Sequence, residues 1–467
     1  MRRFQVFAFL WCSATLLHQL YQGRLLVLDA TAPLSFAALY AIARPSSLAR
    51  FALLLAIQLV TVLWELPRVV NHWLLMGVTS VGLLIVLVPA LLAQRRGEDV
   101  AGVAEAALGP VRVQLVIVYL WATFHKLNAG FFDPEFSCGV DHYVRLAGSL
   151  GFLPQGAWTR TPAIVGTLAI EAALPVLLAF RATRWLALLM GWGFHLVLGW
   201  NGFWDFSSVG SAYYAAFVPL WALAGFDGAR PARPWLDRLA TGAARLGRSR
   251  WAFPIAAALL VASLAGARLL GADGPEAVLA VNRAGRLVWL ACWLALGGVL
   301  LLSLLAGHPL RARHPEPAAT WWRRPALWIA PALLFANGFS PYLGLKSEHS
   351  YAMFSNLRTE GGTWNHYLMP RGLRVFGYGD QVIRIRGSSD LYLQNLARHG
   401  FGLVPLELRR HVARRPGLSV TYVRDGQVVQ SGRAAGDPFL MEPLRPLERK
   451  LILFRPVPPL GGNACLH

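Results

Sequence analysis

Apolar runs of membrane length, separated by short arginine-bearing loops, repeat along the first two thirds of the chain. A hydrocarbon core about 30 Å thick needs roughly 20 apolar residues in a helix. On that scale the pattern predicts spans near residues 4–20, 25–43, 51–67, 73–93, 107–127, 162–180, 185–201, 208–226, 252–271, 287–306 and 325–339. Asp29 and Pro33 interrupt the second run, and Pro325 and Pro331 the last. The expected fold is therefore a polytopic α-helical membrane protein with about nine to eleven transmembrane helices.

The pattern changes after residue 339. Residues 340–467 hold no membrane-length apolar run. Leu373–Arg386 and Leu418–Gln430 cluster or alternate β-formers. Asp425-Gly426 is a hairpin signal, because a type I′ turn needs positive φ at both central residues. Residues 391–399 and 405–414 suit short helices. The expectation is a helical membrane domain over 1–339, followed by a small, strand-rich α+β domain over 340–467.

Composition agrees with a membrane protein. Hydrophobic residues make up 55% of the 467, mean hydropathy is +0.45, and only 15% are charged. A soluble domain carries about a quarter charged residues. The net charge of +20 is mostly arginine in short loops, which reads as topology rather than nucleic-acid binding. Arg2-Arg3, Arg44 with Arg50, Arg95-Arg96, Arg181 with Arg184, the Arg230–Arg250 loop, and Arg311, Arg313, Arg323 and Arg324 fall on alternate loops. The positive-inside rule places those loops, and the N-terminus, in the cytoplasm. Loops 68–72, 128–161, 202–207 and 272–286 then face outward, with acids such as Asp133, Glu135, Asp141 and Asp205. The tail becomes extracytoplasmic and the chain integral to the cytoplasmic (inner) membrane. The run after Arg3 lacks a small-residue cleavage site and reads as a retained span. The arginines of 228–250 suit anionic lipid, but an ordinary cytoplasmic loop explains them as well.

Four cysteines make no disulfide framework. Cys12 and Cys292 fall in predicted spans and read as small apolar residues. Cys138 and Cys465 both fall outside the membrane. A disulfide between them suits an oxidising compartment; two free thiols fit the spacing equally well.

Candidate chemistry gathers at the outer ends of spans. Val116–Asn128 ends in His125-Lys126 and is followed by Phe131-Phe132. Lys126 either snorkels to the headgroups or is a base in a half-dry pocket. Asn71-His72 lies between the third and fourth spans, and His195 near the outer end of the seventh. Trp204-Asp205-Phe206-Ser207 follows it. Glu65 and Glu171 sit within or beside apolar helices. Ionisable residues in a membrane usually face the bundle interior and mark a functional path. Each histidine alone reads equally as a hydrogen-bonded core residue. No His-x-x-x-His or Cys-x-x-Cys pair is present, so no metal is predicted. Gly361-Gly362 lacks the strand–helix context of a phosphate loop.

Together these residues resemble the HTTM family (horizontally transferred transmembrane domain), the membrane domain shared with vitamin K-dependent γ-carboxylase. Trp121–Asn128 resembles the motif in which a Lys-Lys-Leu-Asp run ends a membrane helix, with Lys126 on the second lysine, the family's catalytic base. Asn71-His72 with Leu74–Gly77 resembles the family's Asn-His motif and its functional histidine. Phe194-His195 with Phe206-Ser207 resembles a Phe-His…Phe-Ser segment. Tyr351–Phe354 and Thr421–Gly426 resemble pieces of the lumenal portion. The resemblance covers roughly residues 1–310 in organisation and the tail in patches. His125 and Asn128 depart from the family's lysine and aspartate, and the tail leaves little room for a propeptide-binding portion.

The resemblance implies a lysine base that deprotonates vitamin K hydroquinone (menaquinol in a bacterium). Oxygen then turns the quinol anion into a stronger base, leaving an epoxide. That base removes a glutamate proton, and carbon dioxide traps the carbanion. On this pattern Lys126 and His72 would be catalytic. Asn71, His125, Asn128, His195 and Asp205 would bind substrate or support them. Partners would be membrane lipid or quinol and an exported peptide or protein. The rival class is a non-catalytic lipid- or quinone-binding, export or anchoring protein. A transporter fits less well, since no inverted repeat or Gly/Pro-broken helix pair is evident.

Overall fold

A computed structural model of the chain describes residues 2–25, 27–98, 101–218, 252–269, 275–305, 321–459 and 465. The Arg230–Arg250 loop, Arg311 and Arg313, residues 219–226 of one expected span and 272–274 of one expected outward loop lie outside the described residues.

The protein is mostly helical, with a small antiparallel sheet. Its first nine helices are α1 (Arg2–Tyr21), α2 (Ala32–Ile42), α3 (Leu48–Glu65), α4 (Asn71–Arg95), α5 (Ala101–His125), α6 (Cys138–Leu150), α7 (Arg160–Ala179), α8 (Arg184–Leu198) and α9 (Trp204–Ala215). α10 (Ala252–Leu269), α11 (Pro275–Leu305) and α12 (Ile329–Gly338) follow. Among the described residues, five helical stretches are long and apolar enough to cross a membrane: Leu48–Glu65, Asn71–Arg95, Gly102–His125, Ala157–Ala179 and Arg184–Ala215. α3 shows why. It buries Phe51, Leu54, Leu55 and Val62 while exposing Leu53, Val60 and Leu63. An outward face that is itself apolar suits lipid, not water.

Three expected features take a different form. The run 25–43 yields only the 11-residue α2, too short to cross alone. Asp29 ends the preceding turn by accepting from Thr31 N–H at 2.8 Å. The run 325–339 begins with a 3₁₀ turn at Pro325–Trp328 and continues as the 10-residue α12. The expected outward loop 202–207 is largely helix: a π turn over Gly199–Phe203 leads into α9 at Trp204. Gly202, at φ 102°, supplies the left-handed residue at that bend, a conformation only glycine adopts cheaply. The chain doubles back there. A Cβ on Gly191 would strike the Tyr214 hydroxyl, and one on Gly210 would meet the His195 ring.

The chain divides into two compact units. The first comprises Met1–Leu63, Leu75–Ile117 and Ala173–Ala332; the second comprises Trp64–Leu74, Val118–Ala172 and Leu333–His467. The expected boundary at 339/340 thus differs from the division by compactness, which groups the tail with 64–74 and 118–172.

In the first unit, α1 packs on α2 and α9. Phe7 and Trp11 meet Phe51, and Trp11 also meets Tyr213. Thr79 Oγ1 bonds Gln114 Oε1 at 2.5 Å and Tyr213 Oη at 2.6 Å, closing a buried polar network within apolar helices.

In the second unit, strands β1 (Ile383–Ser388), β2 (Gly402–Leu403), β3 (Val420–Arg424) and β4 (Gln427–Ser431) form an antiparallel sheet of order β2-β1-β3-β4. β1 alternates as a half-buried strand should: Ile383 and Ile385 enter the core with Leu393, Leu408, Val420 and Tyr422. β3 and β4 pair from Val420↔Ser431 to Arg424↔Gln427. Asp425 and Gly426 turn between them at φ 49° and 80°. Helices Leu391–Arg398 and Pro405–Val412 flank the sheet. The β-rich run from Leu373 becomes strand only at Ile383; a turn occupies Arg371–Leu373.

Candidate functional site

The second unit builds its site around the end of α5. α5 tightens beyond His125, with Lys126 N–H bonding Thr123 O and Leu127 N–H bonding Phe124 O, each at 3.0 Å. Lys126 is thereby held inside the unit, 2% exposed. Its Nζ lies 2.7 Å from Glu171 Oε2 on α7, 3.3 Å from Ala122 O and 5.7 Å from the Phe131 ring centroid. Lys126 therefore does not snorkel. Glu171 is also buried. The two side chains are in direct ionic contact.

A strained segment wraps the same helix end. His349, Tyr351, Phe354 and Asn356 all adopt positive φ, between 54° and 64°. For non-glycine residues this costs of order 1 kcal/mol each. Hydrogen bonds hold the segment there. Asn71 Oδ1 accepts from Tyr351 N–H at 2.9 Å. Asn128 Nδ2 donates to His125 O at 2.7 Å and Ser355 O at 2.6 Å. Asn128 Oδ1 accepts from Phe131 N–H and Asn365 Nδ2. Asn356 Oδ1 accepts from Cys138 N–H. Asn71 and Asn128 are thus backbone clamps.

His125 is fully buried and stacks on Trp121, with ring centroids 5.1 Å apart. Ser350 O, at 3.0 Å from Nε2, can only accept. Nε2 therefore carries the hydrogen, and Nδ1 accepts from the Tyr342 hydroxyl at 2.8 Å. Both ring nitrogens are engaged, so His125 orients the helix end and has no free nitrogen for substrate. His72 lies in the first turn of α4, half-buried. Cys138 and Cys465 are joined in a disulfide, packed among Phe131, Val140 and Ile164.

The remaining expected residues belong to the first unit. His195 is 2% exposed, among Phe206, Tyr214 and Trp293; Ser207 Oγ donates to its carbonyl at 2.9 Å. Asp205 sits in the first turn of α9, not in a loop, and its Oδ2 is 2.9 Å from His18 Nδ1. Both are almost fully buried.

Two residues escaped the sequence expectations as site members. His18 is a polar residue near one end of an apolar helix and has a buried acid as its partner. Glu171 stood out as an ionisable group in an apolar run. Lone opposite charges on apolar helices neutralise each other more cheaply than either is buried alone, and that was the available signal.

No family model, curated protein or solved structure matches the chain.

Proposed function

We propose that the chain is an HTTM-like integral membrane enzyme that moves a proton between a membrane quinol and the Lys126–Glu171 pair. The observation that carries this reading is that buried ion pair at the end of a membrane-length helix. A carboxylate has lone pairs beyond the one facing Nζ, so Glu171 can also accept from a phenolic hydroxyl. The residues suit a quinol: an aromatic ring at Phe131, an amine and a carboxylate in a dry setting. Bound quinol would supply the reducing chemistry. The chain's own part is to hold and accept a proton. An ammonium cannot accept one. Lys126 becomes an acceptor after its proton passes to Glu171 across 2.7 Å, leaving a neutral pair that low dielectric tolerates. Asn71, Asn128 and His125 would position the helix end. His72 remains the second catalytic candidate, by resemblance to the family motif. Carboxylation of an exported glutamate is the finer form of this proposal.

The same reading includes about nine to eleven spans, a cytoplasmic N-terminus, a cytoplasmic (inner) membrane location and an extracytoplasmic α+β tail. The Cys138–Cys465 disulfide supports an oxidising side for both residues.

A second reading is favoured by the charge balance of the pair: a non-catalytic lipid- or quinone-binding protein in which Lys126–Glu171 ties α5 to α7. Lys126→Arg separates the two. Arginine keeps the charge and cannot give a neutral base. Menaquinol oxidation in proteoliposomes should fall at least about 100-fold in this variant and in Glu171→Gln, with expression retained. Wild-type turnover in Lys126→Arg would overturn the enzymatic reading.

A further inference from the structure

Two membrane-length stretches carry an exposed tryptophan where they end in the second unit. Trp64, 72% exposed, closes Leu48–Glu65, and Trp158, 69% exposed, opens Ala157–Ala179. Tryptophan and tyrosine gather at this level of a bilayer, where an apolar ring meets wet headgroups. At the end of a third stretch, α5, the tail supplies the exposed apolar surface. Tyr367, Leu368, Leu373, Val375 and Phe376 all lie open within ten residues.

That loop, 367–376, is fixed to the end of α5. Tyr367 N–H bonds Leu127 O at 3.0 Å. His366 Nε2 donates to Phe124 O at 2.9 Å, while its Nδ1 accepts from Leu368 and Met369 N–H. Further along, Val375 and Phe376 N–H bond Leu343 O at 3.1 and 2.9 Å, and Arg374 pairs with Asp380. The backbone is therefore pinned while its apolar side chains point out. α5 itself exposes Leu120 about two turns before Leu127, so its open apolar face leads up to the loop. A second tail element adjoins α3. Lys450 Nζ donates to Trp64 O at 3.1 Å, and the helix Pro446–Leu451 exposes Leu447 and Leu451, one turn apart.

We infer that, with α3, α5 and α7 crossing a bilayer as proposed above, the loop 367–376 and the helix Pro446–Leu451 sink their apolar side chains into the interfacial layer of that bilayer. The tail then docks on lipid instead of standing in water. Each element is fastened to the end of a span, which sets it at headgroup level. The exposed charges beside the apolar groups are basic: Arg371 in the loop, and Arg445, Arg449 and Lys450 around the helix. Such a mixture suits the boundary between acyl chains and anionic headgroups. A second copy in a two-fold contact would set the same cations against one another.

The test uses the full chain in proteoliposomes of phosphatidylcholine and phosphatidylglycerol. Cys12→Ala and Cys292→Ala remove the free thiols, and Leu368→Cys or Leu447→Cys then carries a nitroxide. Power saturation compares oxygen, which concentrates in lipid, with a water-soluble nickel chelate. Labels on Leu120→Cys and Val165→Cys, at exposed positions of α5 and α7, report the hydrocarbon. A label on Val428→Cys, exposed on β4, reports water. Both tail labels should be relaxed more by oxygen than by the chelate, at a depth of about 5–10 Å inside the headgroup boundary, with the order reversed at Val428→Cys. If Leu120→Cys and Val165→Cys read as lipid, a tail label that matches Val428→Cys, or one shielded from both reagents by protein, would overturn the docking surface and leave the spans standing. Span labels relaxed mainly by the chelate would overturn both.

Discussion

Asn128 Nδ2 donates simultaneously to His125 O, at the last turn of α5, and to Ser355 O, in the positive-φ segment. One amide thus fastens a helix end to a strained loop. Asn128→Ala should cost about 2–3 kcal/mol, since it leaves two buried carbonyls without their donor, while the Phe131 N–H keeps only its 3.2 Å bond to the residue-128 carbonyl. Asn128→Asp, the residue of the resembled motif, keeps the acceptor but loses both donated bonds. Because a carboxylate oxygen would then face both buried carbonyls, this variant should melt no higher than Asn128→Ala in thermal unfolding of detergent-solubilised protein. Equal melting of all three would contradict the clamp.

Breaking the buried ion pair on one side should destabilise more than removing it entirely. Lys126→Met strands the Glu171 carboxylate and should cost about 3–5 kcal/mol; adding Glu171→Leu should recover most of that. A double-mutant cycle on thermal stability measures the coupling. Additive losses would show that the contact carries no energy.

Acid should loosen the sheet region at Asp390. Burial pushes this carboxyl up, but the Leu393 N–H, His411 and Arg415 outweigh it and hold it below the ordinary value. A carboxyl lowered on folding contributes stability that is complete above its unfolded value, near pH 4, and fades as pH falls through the lower folded value. Asp390→Asn should lose stability at neutral pH and flatten the profile over about pH 2–5. A profile as steep as wild type would rule out Asp390 as the source. Asp390→Ala should lose about 1 kcal/mol more, as a helix N-cap.

Gly210→Ala should lower the melting point, because the added methyl meets His195 Cε1 at 2.7 Å where α8 and α9 fold together. The expected cost is about 1–3 kcal/mol. Gly148→Ala, whose methyl meets nothing within 4 Å, is the control. Indistinguishable melting of the two variants would show that the packing there yields freely.

Much of the local structure was legible. The Asp425-Gly426 turn, the helices near 391 and 405, and the long apolar helices follow from turn chemistry and periodicity. What pairs with what was not. Lys126 with Glu171 and His18 with Asp205 depend on helix packing, and neither spacing nor composition encodes it. The segment 349–356 gave no turn signal, because Tyr and Phe are poor left-handed residues and a lone His or Asn is a weak sign. Its conformation is imposed by Asn71, Asn128 and Asn337 from elsewhere. The expected loop at 202–207 failed for a related reason. Polar Asp205 reads as solvent-exposed until His18 is known to face it.

The disulfide has a consequence in time. Cys138 waits for a partner 327 residues downstream. At a translation rate of 5–20 residues per second, the ribosome needs about 16–65 s to deliver it. Throughout that interval the newborn chain carries an unmatched thiol beside the nascent α6. Any oxidase or foreign cysteine that reaches it first diverts the molecule, so biosynthetic yield should respond to the redox machinery of the host.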